Sequence, residues 1–213
     1  MPVAVDLYCG LGGWTESLLA EGWTVYGFDI ERHVYGEHRY PAQLVLQDVL
    51  TLHGSQFRSA DLIVASPPCQ FFSYTAMPWS RAKKLAAEVR ACPERVAKEL
   101  ALFNACFRIQ REAVEAAGRF IPLVVENVRG AQPWVGRSRW NAGSFHFWGD
   151  VPALMPTLIA RKQLGDSSWF YDNYESSARR FSSRSKERKQ WSAAIAKIPL
   201  PLSRHIAAYW KPA

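Results

Sequence analysis

The chain lacks any apolar run near the roughly 20 residues that a bilayer-spanning helix needs, so no membrane partner is expected. Met1-Pro2-Val3-Ala4-Val5-Asp6 offers neither a basic leader nor a signal-length apolar stretch, and the expectation is a cytoplasmic protein. Cysteines are few: Cys9, Cys69, Cys92 and Cys106. None has the CxxC or Cys/His spacing of a zinc site, so no metal is expected and each thiol is either a core residue or a nucleophile. No Gly-Lys-Ser/Thr follows the one glycine-rich turn, so a phosphate-bearing nucleotide is not favoured. Internal repeats and low-complexity tracts are also missing.

What remains is 213 residues, 48% hydrophobic and 21% charged, enough for one compact domain or a domain with a small appendage. The net charge is +7 and is unevenly placed. Residues 1–156 hold 15 Lys/Arg and 15 Asp/Glu, whereas residues 157–213 hold 11 Lys/Arg against 4 Asp/Glu, which is the whole excess. A neutral body followed by a basic C-terminal quarter favours a polyanionic partner.

The first 66 residues alternate as βαβ units. Short apolar strands are predicted over Val3–Tyr8, Thr24–Phe28, Leu44–Leu46 and Asp61–Ala65, with a helical stretch at Trp14–Glu21. Residues 71–92 read as a loop with some helical character. A long helix is expected over Glu94–Ala117, then strands over Ile121–Glu126 and Ser144–Trp148. Trp191–Trp210 reads as helical but broken by Pro199 and Pro201. The pattern predicts an α/β fold with a doubly wound, mostly parallel sheet, in which ligands bind beyond the carboxyl ends of the strands.

Four motifs fall at such ends. Asp6-Leu7-Tyr8-Cys9-Gly10-Leu11-Gly12-Gly13 is either an ordinary βα turn or a loop whose backbone approaches a ligand. Asp29, about 20 residues beyond that loop, can accept both hydroxyls of a ribose, and Asp48, at the next strand end, can accept from an adenine amino group. Each has a plain alternative as a helix cap or surface acid. Ser66-Pro67-Pro68-Cys69-Gln70-Phe71-Phe72-Ser73 fixes a thiol at the edge of the same cleft, as a nucleophile unless it is simply a core cysteine. In Val124-Val125-Glu126-Asn127-Val128, a Glu at the end of an apolar strand is desolvated and able to carry a proton near neutrality, if it is not a paired structural acid. Asn127 can orient neighbouring loops.

Together these residues resemble the cytosine-5 DNA methyltransferases. The glycine run is similar to that family's cofactor motif, Pro-Pro-Cys-Gln-Phe-Phe-Ser to its nucleophile motif, and Glu-Asn-Val to its acid motif. The order also agrees across most of residues 1–150. The resemblance implies a Rossmann-like fold dependent on S-adenosylmethionine. The cofactor would meet Tyr8, Cys9, Gly10, Gly12, Gly13 and Pro68, with Asp29 on its ribose, Ile30 against the adenine and Asp48 at the amino group. It implies a cytosine flipped from double-stranded DNA, attack by Cys69 on ring carbon 6, and proton delivery by Glu126 to ring nitrogen 3. Methylation at carbon 5 follows, then release of the thiol.

The chain departs from the family in three places. An alternate-Arg feature survives as Arg137-Ser138-Arg139, and Arg139 is the candidate for the cytosine carbonyl. The last motif reads Ala196-Lys197-Ile198-Pro199-Leu200-Pro201, with the usual Asn missing. The domain-sized recognition region is reduced to residues 157–190, where Arg179, Arg180, Arg184, Lys186 and Arg188 interleave with aromatics. Gln70, Ser73, Arg81, Lys83 and Arg137 complete the expected nucleic-acid contacts. The expected organisation is a catalytic domain over 1–156, a basic recognition segment over 157–190 and a helical segment over 191–213 that packs back on the first. Such a compact form is similar to small phage or prophage members acting in a bacterial cytoplasm. Sequence recognition should be short or relaxed, leaving a protein partner or a homodimer to supply specificity. Two other readings stay open: a methyltransferase acting on RNA such as tRNA, and a DNA-binding subunit that needs a partner.

Overall fold

Nine strands are present among the described residues: β1 (Val3–Leu7), β2 (Thr24–Asp29), β3 (Val34–Tyr35), β4 (His38–Arg39), β5 (Gln43–Leu46), β6 (Leu62–Ala65), β7 (Leu123–Val128), β8 (Trp140–Ala142) and β9 (Phe145–Gly149). The computed structural model describes residues 1–73, 79–156 and 197–212. Seven strands form one sheet in the order β5-β2-β1-β6-β7-β9-β8, and β3 and β4 form a separate hairpin. β5, β2, β1, β6 and β7 run parallel, and β9 is antiparallel to both β7 and β8. The doubly wound, mostly parallel fold read from the sequence is what the chain adopts.

Strand alternation divides the side chains between two cores. Val5, Leu7, Ile63, Ala65, Leu123 and Val125 face one side, and Ala4, Leu62, Val64 and Val124 face the other. The α-helices among the described residues are α1 (Thr15–Ala20), α2 (Trp79–Arg90), α3 (Pro93–Ala117), α4 (Gln132–Val135) and α5 (Leu200–Tyr209). Helix α3 covers the first side. Its buried residues Phe103, Cys106, Ile109 and Ala113 recur at spacings of three, three and four, the stripe a helix lays against a sheet. Pro93 sits in its first turn, and Gly118 ends it in the left-handed conformation at φ 63°. Helices α1 and α5 cover the second side. They are joined by a Ser17–Ser203 hydroxyl pair at 2.6 Å, and the Trp23 indole, just beyond α1, donates to the Ala207 carbonyl at 3.1 Å.

Several sequence expectations are corrected. The sequence reads mainly as loop over residues 71–92, yet Trp79–Arg90 is a 12-residue helix. Its Lys/Arg content masks the apolar stripe, of which Ala82 and Val89 are buried. The β3–β4 hairpin and β8 have no counterpart in the sequence reading, because two- and three-residue strands leave no period to follow. The final helix begins after Pro199, with Pro201 in its first turn, where proline is tolerated. Residues 191–196 and the basic segment lie outside the described residues.

The chain order turns back between β1 and β6. The loop after β1 and the loop after β6 therefore flank the switch point, the place where an open α/β sheet offers a crevice.

Candidate active site

The loop after β1 is built from unusual backbone. Tyr8, Gly10 and Gly12 have φ of 57°, 51° and 84°. The Gly12 N–H donates to the Cys9 carbonyl at 2.8 Å, closing a tight turn. A Cβ on Gly12 would lie 2.6 Å from Cδ of Pro41, and one on Gly13 would lie 3.0 Å from the backbone nitrogen of Ile198. The segment before α5 thus runs against the glycine loop. The Tyr8 hydroxyl donates to the Leu102 carbonyl at 2.8 Å, and Cys9 is buried. Both side chains are therefore turned into the protein, and only their backbone can line the crevice. Burial also pushes the Cys9 thiol far up, so it holds its proton.

Asp29 ends β2 beside this loop. Its carboxylate accepts from the Gly10 N–H at 2.9 Å and the Glu31 N–H at 3.2 Å, and His33 lies 3.5 Å away. Burial pushes its pKa up, but the His33 contact and these backbone donors outweigh it and hold it below the usual value. Ile30, next in the chain, is 72% exposed, an apolar side chain at a strand end with little packed on it. Asp48 caps the short helix Val49–Thr51, accepting from the Leu50 N–H at 2.9 Å. One carboxylate oxygen is thereby engaged. The glycine loop itself carries no Lys or Arg. The cradle suits an uncharged ribose and an adenine better than a polyphosphate.

Beneath the loop lies a buried acid that sequence reading does not single out. Asp6 accepts from the Thr15 hydroxyl at 2.6 Å, and Thr15 in turn meets the Tyr40 hydroxyl at 2.7 Å. Burial raises the Asp6 pKa to about 7. The folded protein therefore binds a proton that the unfolded chain releases near pH 4, so stability falls as pH rises from about 4 to about 7. Asp6→Asn should remove that penalty, on the order of a few kcal/mol at about 1.4 kcal/mol per pH unit. Thermal melts should show the variant gaining on wild type from pH 5 to pH 8, by about 5–10 °C at the upper end. Equal gains at both pH values would show that Asp6 is not the titrating group.

The second loop carries the thiol. Pro67 is buried, Pro68 exposed and Cys69 half-buried. The Asn127 amide donates to the Pro67 carbonyl at 2.8 Å, and its oxygen accepts from the Val128 N–H at 2.8 Å. Asn127 thus ties the end of β7 to the cysteine loop. The Ser73 hydroxyl and backbone N–H both donate to the Cys69 carbonyl at 2.9 Å. Ser73 closes the turn that presents Cys69, and Gln70 is exposed. Burial raises the Cys69 pKa, a Ser73 hydrogen bond opposes it, and the nearby Glu126 charge adds to the rise.

Glu126 follows Val125, which pairs with Ala65 at the end of β6. The acid therefore stands one strand from Ser66 and the cysteine loop. Burial raises its pKa to about 8, with the Ser66 hydroxyl pulling the other way, so it carries a proton at neutral pH. The Trp14 indole donates to that same hydroxyl at 3.1 Å, joining the start of α1 to the site.

The fold thus brings three expected groups together at one sheet edge: the glycine loop with Asp29, the cysteine loop, and Glu126. Arg137 and Arg139 are exposed on the segment leading into β8, two strands out from Glu126. Lys83 is exposed on α2. The Arg81 side chain and Arg179, Arg180, Arg184, Lys186 and Arg188 lie outside the described residues. Among the described residues no group of three His, Cys, Asp or Glu could hold a metal ion, and no helix is long and apolar enough to cross a membrane.

Residues 3–85 match the C-5 cytosine-specific DNA methylase family. That stretch carries the glycine loop, Asp29, Asp48 and the Pro67-Pro68-Cys69 turn; Glu126, Arg137 and Arg139 lie beyond it. No curated protein matches the chain. Solved structures similar to it include three methyltransferases. One is described as a DNA modification methyltransferase encoded within an E. coli prophage, at 20% identity and TM-score 0.37, covering 62% of this chain and 33% of that one. The S. pombe Dnmt2 methyltransferase shares 16% identity at TM-score 0.38, over 63% of this chain and 37% of its own. The Entamoeba histolytica methyltransferase EhMeth shares 17% at TM-score 0.40, over 64% and 41%. The chain therefore spans well under half the length of each of these proteins.

Proposed function

We propose that the protein transfers a methyl group from S-adenosylmethionine to carbon 5 of cytosine in DNA. The observation that carries this reading is the meeting of a half-buried thiol and a protonated carboxyl at one sheet edge, within a chain whose N-terminal stretch matches the methylase family.

The cofactor supplies an electrophilic methyl group. Backbone of residues 8–13, the carboxylates of Asp29 and Asp48, the exposed Ile30 and Pro68 would hold it. The positive φ values of Gly10 and Gly12 keep that backbone open to a ligand. Gly12→Ala should close part of the cradle, because its Cβ has nowhere to go against Pro41. Calorimetry should show cofactor affinity falling by at least about tenfold; unchanged affinity would place the cofactor elsewhere.

The chain's own residues do the rest. Cys69, as thiolate, bonds to carbon 6 of a flipped cytosine. Glu126 delivers its proton to ring nitrogen 3, so the ring takes up the electron pair without developing full negative charge. After carbon 5 is methylated, its proton is lost to water, the C–H electron pair restores the ring double bond as the carbon–sulfur bond breaks and the thiolate leaves, and nitrogen 3 returns its proton to the Glu126 carboxylate. Arg139 would hold the cytosine carbonyl or the phosphate beside it. The basic residues of 157–190, with Lys83 and Arg137, would meet phosphates, a contact that favours double-stranded DNA with relaxed sequence preference.

Incubation with tritiated cofactor and separate DNA and tRNA substrates tests the reading. Label in 5-methylcytosine of DNA is expected. Label in tRNA alone would move the substrate to RNA. DNA binding without transfer would mark a subunit that needs a partner.

A further inference from the structure

The edge beyond β7 carries a polar brace that the proposed reaction does not use. His146, on β9, lies opposite Asn127 in the β7–β9 register and is 5% exposed. Its Nδ1 lies 2.9 Å from the Ser138 hydroxyl. The Ser138 N–H and hydroxyl both donate to the Gln132 side-chain oxygen, at 3.2 and 3.3 Å. Two more bonds hold the same segment: the Trp148 indole donates to the Gly136 carbonyl at 2.9 Å, and the Arg139 N–H donates to the Phe147 carbonyl at 2.8 Å. The stretch 136–139 is thus pinned to β9 and α4, while Arg137 and Arg139 on either side of Ser138 stay exposed. Neither arginine forms an ion pair among the described residues. Phe147, which anchors Arg139, is the register partner of Glu126, so the Arg139 backbone lies two strand spacings, about 10 Å, from the acid. Asn127 connects the same row to Pro67 beside Cys69.

We infer that His146 and Ser138 are positioning residues that set the Arg137-Ser138-Arg139 segment, so that both arginines meet the substrate's phosphate backbone next to the cysteine loop. This rests on the nucleic-acid reading above. The chemistry follows from the contacts. Burial and the charge of Arg129 lower the His146 pKa, which disfavours a charged ring beside the arginines. With Ser138 tied to Gln132 and His146, the arginines on either side are left exposed, and a guanidinium is a strong phosphate ligand.

The test is duplex DNA binding, read by anisotropy of a labelled duplex between about 50 and 200 mM salt without cofactor. Each neutralised phosphate contact contributes about 0.9 to the slope of log K against log salt. Arg137→Ala with Arg139→Ala should flatten the slope by about 2. Ser138→Ala should weaken binding about tenfold and flatten it by about 1, and Ser138→Thr, which keeps the hydroxyl, should match wild type. His146→Phe keeps the buried volume without the ring nitrogen and carries the same expectation as Ser138→Ala, should that variant fail to fold. Wild-type affinity and slope in both Ser138→Ala and His146→Phe, with loss only in the double arginine variant, would overturn the positioning role. An unchanged double arginine variant would remove this edge from the interface and overturn the proposal while DNA binding itself stands. A wild-type protein that binds no duplex would instead overturn the nucleic-acid reading, and this proposal with it.

Discussion

Cys69→Ala is expected to reduce methyl transfer to DNA by on the order of 10⁴-fold or more, the scale seen when a covalent nucleophile is deleted. Binding of cofactor and of duplex should change only a few-fold. The side chain is small and half-buried, and the turn that presents it is held by the Ser73 hydroxyl and backbone N–H on the Cys69 carbonyl, which the alanine keeps. The split between chemistry and binding is what identifies a nucleophile. A covalent readout makes it sharper. Fluorine at cytosine carbon 5 cannot leave as a proton does, so a 5-fluorocytosine duplex with cofactor should trap wild-type protein as a denaturation-resistant adduct and leave Cys69→Ala unattached. Transfer that survives in Cys69→Ala would remove the covalent mechanism.

Glu126→Gln should lower kcat/KM by about 10²–10⁴-fold and change the shape of its pH profile. The active form needs the Cys69 thiolate and the Glu126 acid together. Glu126 titrates at about 8, and Cys69 is displaced upward from its ordinary value of 9.0. Below pH 8 the acid is in place and the thiolate grows tenfold per pH unit, so the rate climbs. Above pH 8 the gain in thiolate is offset by loss of the acid, and the rate levels off until Cys69 itself titrates. A glutamine amide in place of the acid has no proton to lose. The variant should therefore start far lower but keep climbing through pH 8. Its thiol should also titrate at lower pH, because the neighbouring charge is gone; alkylation of the Cys69 peptide, followed by mass spectrometry, reads this directly. A variant that levels off at the same pH as wild type would assign the break to another group.

The two residues in these experiments are visible in the sequence for a local reason. A cysteine between a proline pair and a closing serine, and a Glu at the end of an apolar strand, announce their chemistry through their immediate neighbours. Residues whose importance lies in a distant partner do not. Asp6 reads as one polar position in a strand; only the packing of α1 and Tyr40 around it makes it a buried acid. Ser73 reads as a nucleic-acid contact because it stands near the nucleophile, and its hydroxyl proves to be engaged with the Cys69 carbonyl. His146 and Ser138, eight residues apart, carry no motif. They meet because β8 and β9 turn back on each other through a strand too short to recognise.

The order of amino acids alone is enough for the α/β class, for the strand ends on which the chemistry-bearing residues sit, and for the division between a neutral body and a basic C-terminal quarter. These follow from periodicity, composition and local turn chemistry, which act over a few residues. Packing settles that the β1 and β6 loops flank one switch point and that Glu126 stands one strand from the cysteine loop. It also settles that Lys197 and Ile198 close against Gly13, and how far each carboxyl and thiol shifts from its ordinary pKa. Strand order and desolvation depend on which distant segments pack together, and no window of neighbouring residues contains that information.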